Sequence, residues 1–194
     1  AYTTAMRERV FESLGMSGAA IAEDPRPLGD DYAAGYTRNL FGTPTTLPFV
    51  PLAGIAPAGS GLAGIEDLAR YLIAMMSGGE SAAGSRIVSQ ANLAELFLPG
   101  IALDVATLAP PEFMPDTASL HYGMGWIIEE FRDGRQLVWH SGGIDGFATL
   151  VGFFPDEQIG FAVVANDDRT GAPFYLSVRA SLLGRLFGLE VDLP

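Results

Sequence analysis

The sequence contains no cysteine, only two histidines and no long apolar run. Without Cys the chain has no disulfide, no thiol nucleophile and no thiolate metal site. His121 and His140 are too few for a His-rich metal centre. Because a membrane-spanning helix needs about 20 apolar residues, the sequence predicts no membrane-spanning segment.

Basic charge is also scarce. Eleven basic residues, all of them Arg, stand against 23 acidic residues and give a net charge of −12. An acidic surface repels phosphate backbones and anionic lipid, so we expect no nucleic-acid partner and no binding to a membrane surface. The rest of the composition, with 48% hydrophobic and 18% charged residues over 194 positions, is typical of a folded domain with its own core.

The first 120 residues favour helices joined by long loops. Apolar stripes and stop signals predict helices over Thr3 to Leu14, Ile65 to Met76 and Ser89 to Leu98. The segment from Ala19 to Gly59 is rich in proline, which predicts an irregular connection. Loops of that length are usually functional or lie over another part of the protein. Further prolines predict irregular structure between Ile101 and Leu120.

From residue 121 onwards, the sequence changes to strands and one amphipathic helix. Tight turns such as Asp133-Gly134 separate four predicted strands, which are Gly123–Phe131, Arg135–Trp139, Phe147–Phe154 and Ile159–Ala165. With a helix over Ala172–Phe187, they predict an α+β fold, in which an antiparallel β-meander carries the C-terminal helix and is preceded by helices and long loops. We divide the chain into a helical, loop-rich part over residues 1–120 and a sheet-plus-helix part over residues 121–194, together one incomplete domain.

The strongest candidate for a functional site is the stretch Trp139-His140-Ser141-Gly142-Gly143. It places an imidazole and a hydroxyl at the end of a predicted strand, before glycines that let a ligand approach the backbone closely. A backbone N–H without a strand partner can also stabilise an oxyanion. Two other interpretations remain open. One is a glycine-rich loop with a structural histidine; the other, less favoured, is a phosphate-binding loop, for which the helix and the glycine spacing are missing.

Three further positions are weaker candidates. His121 precedes a predicted strand and is more typical of a packing or surface role. Asn166-Asp167-Asp168 contains two carboxylates that suit a cation, but a strand-ending turn explains it better. Ser60 lies between two glycines, yet the chain contains no Gly-x-Ser-x-Gly nucleophile elbow.

Several stretches, in order along the chain, resemble one enzyme superfamily. They are RERVFESLGM (residues 7–16), PAGSGL with DLARYL (57–62 and 67–72), YGMGW (122–126), HSGG (140–143) and VVAN (163–166). These stretches resemble the serine β-lactamase and penicillin-binding-protein superfamily, in its class C-like branch with family VIII esterases and D-aminopeptidases. In that branch, HSGG corresponds to the Lys-Thr-Gly element of the active site.

The resemblance implies a β-lactamase/transpeptidase-like fold and a serine hydrolase that forms an acyl-enzyme with an ester, an amide or a β-lactam. In such an enzyme, His140 and Ser141 would act on the substrate, Gly142 would contact it and the Gly143 N–H would donate to the oxyanion. The implied substrate is a small molecule or a peptide, and the resemblance implies neither a metal nor an organic cofactor. The resemblance slightly favours the periplasm or the cell envelope.

The chain departs from this superfamily in its catalytic motifs. The superfamily acylates a Ser within Ser-x-x-Lys and uses Tyr-x-Asn in proton transfer, but the chain has no Lys, and none of its six Tyr has Asn two residues later. We therefore expect the chain to be the C-terminal part of such an enzyme and to be inactive alone. Its partner would be the missing N-terminal half or a second chain. The alternative is a non-catalytic binding or assembly module that kept the fold and lost the chemistry.

Overall fold

A computed structural model describes residues 1–110, 113–114 and 116–189. The helices among these residues are α1 (Tyr2–Met6), α2 (Glu12–Leu14), α3 (Ala56–Gly59), α4 (Ile65–Met76), α5 (Gln90–Leu96), α6 (Val105–Leu108) and α7 (Gly171–Phe187). The strands are β1 (Ala20–Ile21), β2 (Tyr36–Arg38), β3 (Pro44–Thr46), β4 (Gly61–Leu62), β5 (Ile101–Ala102), β6 (Thr117–Tyr122), β7 (Ile127–Phe131), β8 (Gln136–Ile144), β9 (Phe147–Phe154) and β10 (Ile159–Ala165). Across the described ranges, no helix is both long and apolar enough to span a membrane.

The fold is organised by a six-stranded antiparallel sheet with the order β10-β9-β8-β7-β6-β5. Each strand pairs with its neighbour in sequence, so the predicted meander is confirmed. The Asp133-Gly134 turn joins β7 to β8, and Gly134 adopts the left-handed φ of +89° that such a turn favours. Because α7 follows the sheet and packs on it, the predicted α+β fold is also confirmed.

Alternate side chains of the sheet enter two separate cores. On one face, Leu150 and Phe154 belong to a cluster that includes Leu183 of α7. On the other face, Phe153 belongs to a cluster that includes Leu72 of α4. Since successive side chains of a strand point to opposite faces, both faces of the sheet are covered by helices.

The predicted helices are present, with small differences at their ends. The first one begins at Tyr2 and contains a π-helical segment, Arg7–Phe11, between α1 and α2. Gly15 ends it in the left-handed conformation, at φ 69°. Ser89 caps α5, because its side chain accepts a hydrogen bond from the Asn92 N–H.

Two predictions about the strands before the Asp133-Gly134 turn are wrong. In its described part, the region between Ile101 and Leu120 is not irregular, because it contains β5, α6 and most of β6. Two of the prolines behind this prediction, Pro111 and Pro115, lie outside the described residues. Prolines restrict only their immediate neighbours, and the ladder with β7 forms β6 beyond them. The strand predicted over Gly123–Phe131 begins only at Ile127, since a turn, in which the Gly123 N–H donates to the carbonyl of Trp126, precedes it.

Candidate active site

Strand β8 extends beyond its neighbour β7 and leaves part of its edge open. Its pairing with β7 ends at Trp139, opposite Ile127, whereas its pairing with β9 continues to Ile144. Within the part of the chain that the structure describes, residues 140–144 therefore have a strand neighbour on one side only. Because the N–H and C=O groups of a strand alternate between its two sides, the open side presents unpaired donors and acceptors.

The interpretation of this stretch as a glycine-rich loop is wrong. Gly142 and Gly143 continue β8, where they lie opposite Thr149 and Ala148 of β9. Glycine weakens an isolated strand, but the ladder with β9 holds both residues extended. The strand predicted to end at Trp139 thus runs on, and its extended backbone also rules out a phosphate-binding loop at a helix start. Both glycines are exposed, so a ligand can reach their backbone.

His140 is held by an aromatic contact from another strand. The hydroxyl of Tyr122, at the end of β6, lies 3.2 Å from Nε2 of His140. The two rings meet edge to face, with centroids 5.8 Å apart. His140 is half-buried and Tyr122 is 38% exposed, so the imidazole is oriented and still accessible. Tyr122 was not among the predicted site residues, although it begins the YGMGW stretch.

Neighbouring side chains of β8 leave the sheet on opposite faces. His140 therefore shares the face of Val138, and Ser141 shares that of Trp139. The side-chain hydrogen bond of His140 goes to Tyr122 rather than to Ser141. The two residues thus do not form the nucleophile–base pair of a serine hydrolase. Together with the two glycines, they line one strand edge that suits ligand binding.

Trp139 anchors β8 at the point where its edge becomes open. The indole is only 2% exposed, and the guanidinium of Arg179 lies 5.3 Å from its ring centroid. Phe147, at the start of β9, is half-buried and packs on the backbone of Gly35: a Cβ on that glycine would lie 2.8 Å from Cε2 of Phe147. Trp139 thus precedes the open stretch 140–144 of β8, and Phe147 follows it across the turn.

We expect Trp139→Ala to lower the free energy of unfolding by about 3–5 kcal/mol, because it removes a large buried side chain and leaves a cavity. Urea unfolding followed by circular dichroism measures this loss. The control is Phe41→Ala, at a side chain that is 93% exposed, for which we expect a change within about 0.5 kcal/mol. A loss below about half a kcal/mol for Trp139→Ala would show that the indole does not anchor the strand.

Part of the proline-rich segment from Ala19 to Gly59 lies over the turn that follows β8. The Tyr36 N–H donates to the carbonyl of Asn166 at 3.1 Å, and the Asn166 side chain donates to the carbonyl of Ala34 at 3.0 Å. Gly146, in the turn itself, adopts a φ of +83°, and a Cβ there would lie 2.7 Å from Cα of Gly35. This close approach needs glycine at positions 35 and 146, and it holds the turn that follows the open edge of β8 in place.

The Asn166-Asp167-Asp168 stretch forms a turn, as predicted. Asp167 accepts hydrogen bonds from two backbone N–H groups just before α7, both at 2.9 Å, and pairs with Arg38 at 3.1 Å. The Thr170 N–H, together with these other partners, holds the pKa of the Asp167 carboxyl below its usual value. Asp168 accepts from the backbone of the turn after β8 at 3.4 Å. Over the described ranges, no cluster of three or more His, Asp or Glu residues could hold a metal ion.

The two other weak candidates lie in structural positions. Ser60 is 2% exposed, and its hydroxyl donates to the carbonyl of Leu52 at 3.4 Å. A buried hydroxyl with this partner is poorly placed to attack a substrate. His121 lies on β6 opposite Ile128, half-buried, with its Nδ1 atom buried.

Comparisons with known proteins agree with this architecture. A family model described as Beta-lactamase matches residues 1–183. The chain is 29% identical over 176 residues to unguisins hydrolase ungD' of Aspergillus campestris, a match that covers 87% of this chain and 29% of that protein. The chain therefore spans less than a third of the length of this curated relative.

Two solved structures share the fold. An octameric penicillin-binding protein homologue from Pyrococcus abyssi superposes with a TM-score of 0.76 at 25% identity, over 97% of this chain and 38% of that one. A D-stereospecific amidohydrolase from Streptomyces superposes with a TM-score of 0.67 at 17% identity, over 96% of this chain and 48% of that one. Because the family match extends over residues 1–183, the chain belongs to the beta-lactamase family, within the superfamily of serine β-lactamases and penicillin-binding proteins.

Proposed function

We propose that this chain supplies the substrate-binding edge of a serine hydrolase that cleaves an amide or an ester through an acyl-enzyme. The observation that carries the proposal is the open edge of β8, which presents His140, Ser141 and two exposed glycines in a member of the beta-lactamase family. An extended strand with unpaired backbone groups suits a substrate that lies alongside it and makes main-chain hydrogen bonds.

Each residue of this edge has a proposed role. The Gly143 N–H donates to the oxyanion that develops during acylation, an effect that requires a donor fixed in position before the reaction. The ladder with β9 and the buried Trp139 provide that fixation. His140 hydrogen-bonds and polarises the substrate, Ser141 adds a hydroxyl, and Gly142 lets the substrate approach the backbone closely.

The nucleophile and its base are proposed to come from a polypeptide segment outside these 194 residues. The chain has no Lys, so it cannot contain the Ser-x-x-Lys motif. Ser60 is buried, and the hydrogen bond of His140 goes to Tyr122 instead of Ser141. In the curated relative, the matched part is 29% of the whole protein, which leaves ample chain for the other motifs.

An amide or ester substrate is preferred over a β-lactam. His140 occupies the position of the Lys in the Lys-Thr-Gly element, so a substrate carboxylate meets no permanent cation there. The curated relative is itself named a hydrolase. The proposed substrate class is therefore a small molecule or a peptide that does not depend on a carboxylate for binding at this position.

The test is covalent labelling followed by intact mass spectrometry. We expect the 194-residue chain to react with neither a fluorophosphonate nor a penicillin, because none of its Ser side chains has a Lys to accept the proton. The product of the complete reading frame, which we call the complete protein, is expected to take up one fluorophosphonate per molecule. The matched control replaces the Ser of its Ser-x-x-Lys motif by Ala.

Two outcomes would contradict the proposal. Stoichiometric labelling of Ser60 or Ser141 in the 194-residue chain would place an unrecognised nucleophile within it. A complete protein that folds and is not labelled would instead favour a non-catalytic binding or assembly module.

A further inference from the structure

Tyr122 and His140 come together although β7 separates their strands. Tyr122 lies opposite Ile127 of β7, which lies opposite Trp139 of β8. Adjacent strands are about 4.8 Å apart, so the backbones of β6 and β8 are separated by about 10 Å. Strand β7 begins at Ile127, opposite Trp139, so no residue of β7 lies opposite His140. The phenol of Tyr122 extends past this end of β7, and its hydroxyl lies 3.2 Å from Nε2 of His140.

The backbone that carries Tyr122 is firmly held. The next residue, Gly123, donates its N–H to the carbonyl of Trp126 at 2.8 Å, and a Cβ on that glycine would lie 2.9 Å from the carbonyl oxygen of Leu98. Trp126 is 5% exposed and stacks on Tyr71, with ring centroids 6.4 Å apart and planes 12° from parallel. The partly exposed phenol is therefore attached to a rigid turn, which favours one persistent orientation toward the imidazole.

We infer that Tyr122 is a positioning residue whose O–H donates to Nε2 of neutral His140 and so selects the tautomer with its proton on Nδ1. A neutral imidazole has one donor nitrogen and one acceptor nitrogen, and the bond made by one of them decides which proton the other carries. A phenolic O–H is the more acidic donor of the pair, and the imidazole lone pair is the stronger acceptor. Nδ1–H then becomes the only N–H that the neutral ring offers.

The consequence for catalysis rests on the proposed function. In the proposed site, the Nδ1–H of His140 is the donor toward the substrate, and Tyr122 acts only through His140. Loss of the phenolic hydroxyl releases the ring to exchange tautomers and rotate. It removes neither the imidazole nor any backbone group of β8.

The first test measures the tautomer in the 194-residue chain by long-range ¹H–¹⁵N correlation spectroscopy of the imidazole nitrogens. The chain has only two histidines, so His121→Gln assigns the remaining signals to His140. At about pH 9, where imidazole side chains are neutral, we expect a pyridine-type shift at Nε2 and a pyrrole-type shift at Nδ1. Free histidine prefers the opposite tautomer, and we expect Tyr122→Phe to restore that preference. Unchanged His121 signals in Tyr122→Phe report that the fold is intact.

The second test measures fluorophosphonate acylation of the complete protein. We expect Tyr122→Phe to lower the acylation rate constant about tenfold, with little change in the apparent affinity for the probe. A wild-type Nε2–H tautomer, or identical shifts in Tyr122→Phe, would overturn the inference. A changed tautomer with unchanged acylation would overturn the positioning role. If the wild-type complete protein is not labelled while the tautomer changes as expected, the proposed function fails and the assignment of the Tyr122–His140 bond stands.

Discussion

His140→Ala in the complete protein is expected to lower the rate of acylation by roughly 10²-fold or more, the usual scale for a residue that transfers a proton or positions the substrate. The imidazole is half-buried at the open edge of β8 and oriented by Tyr122, so its removal takes away an aligned donor. The fold should survive the change, because β8 remains paired with β9 on one side and Trp139 still fills the core beneath it. Stopped-flow or quench-flow kinetics with a chromogenic ester gives the acylation rate directly.

The matched control for this prediction is His121→Ala. His121 is the only other histidine and lies on β6, next to Tyr122, so it tests whether any histidine near this edge produces the loss. We expect this variant to acylate at a rate within about threefold of the wild-type rate. An unchanged rate in a well-folded His140→Ala variant would remove His140 from the mechanism and leave the Gly143 N–H as the contribution of this edge.

A second large effect is expected at a buried ion pair between the sheet and α7. Glu129 of β7 and Arg179 of α7 form a salt bridge, and both side chains are fully buried. Glu129 also accepts a hydrogen bond from the Thr117 hydroxyl at 2.6 Å, and Arg179 donates to the carbonyl of Phe113 at 2.6 Å. Arg179→Met should lower the free energy of unfolding by about 3–5 kcal/mol, because the carboxylate of Glu129 would remain buried without its cation.

The double variant Glu129→Leu/Arg179→Met separates the charge effect from packing. With neither charge present, no uncompensated ion remains, and we expect most of the lost stability to return. The surface control is Arg132→Met, since Arg132 pairs with Asp116 at 3.7 Å and its side chain is 75% exposed. This control should change the free energy of unfolding by less than about 1 kcal/mol. Urea unfolding of the four proteins measures all three differences. A loss under about 1 kcal/mol for Arg179→Met would show that the buried pair is not stabilising as argued.

The periodicity of the sequence places each member of this ion pair at a core position. Arg179 lies three residues after Leu176 and four before Leu183, so it falls on the apolar stripe of α7. Glu129 lies two residues from Ile127 and two from Phe131, so its side chain shares their face of the strand. Opposite charges at two core positions suggest a pair, but only the packing of α7 on the sheet brings these two residues together.

Much of the fold was determined by local sequence patterns. The strands β9 and β10, the helices α4 and α7 and the Asp133-Gly134 turn all lie at or near their predicted positions. Each can be recognised from a pattern within a short stretch of sequence: alternating apolar residues in the strands, an apolar stripe in the helices and a glycine in the turn. Short stretches such as YGMGW and HSGG also indicated the family, and the family model that matches residues 1–183 confirms it.

Only the tertiary structure decided the geometry of the candidate site. Glycines favour a loop locally, yet Gly142 and Gly143 are extended because β9 pairs with them. Tyr122 reaches His140 because β7 starts one residue too late to cover that position, which depends on the register of three strands. Proline-rich sequence predicts irregular structure, yet β6 forms by pairing with β7. In each case the deciding partner is distant in sequence or fixed by strand register, so local propensity, which is worth only about 1 kcal/mol per residue, is overridden by non-local pairing and burial.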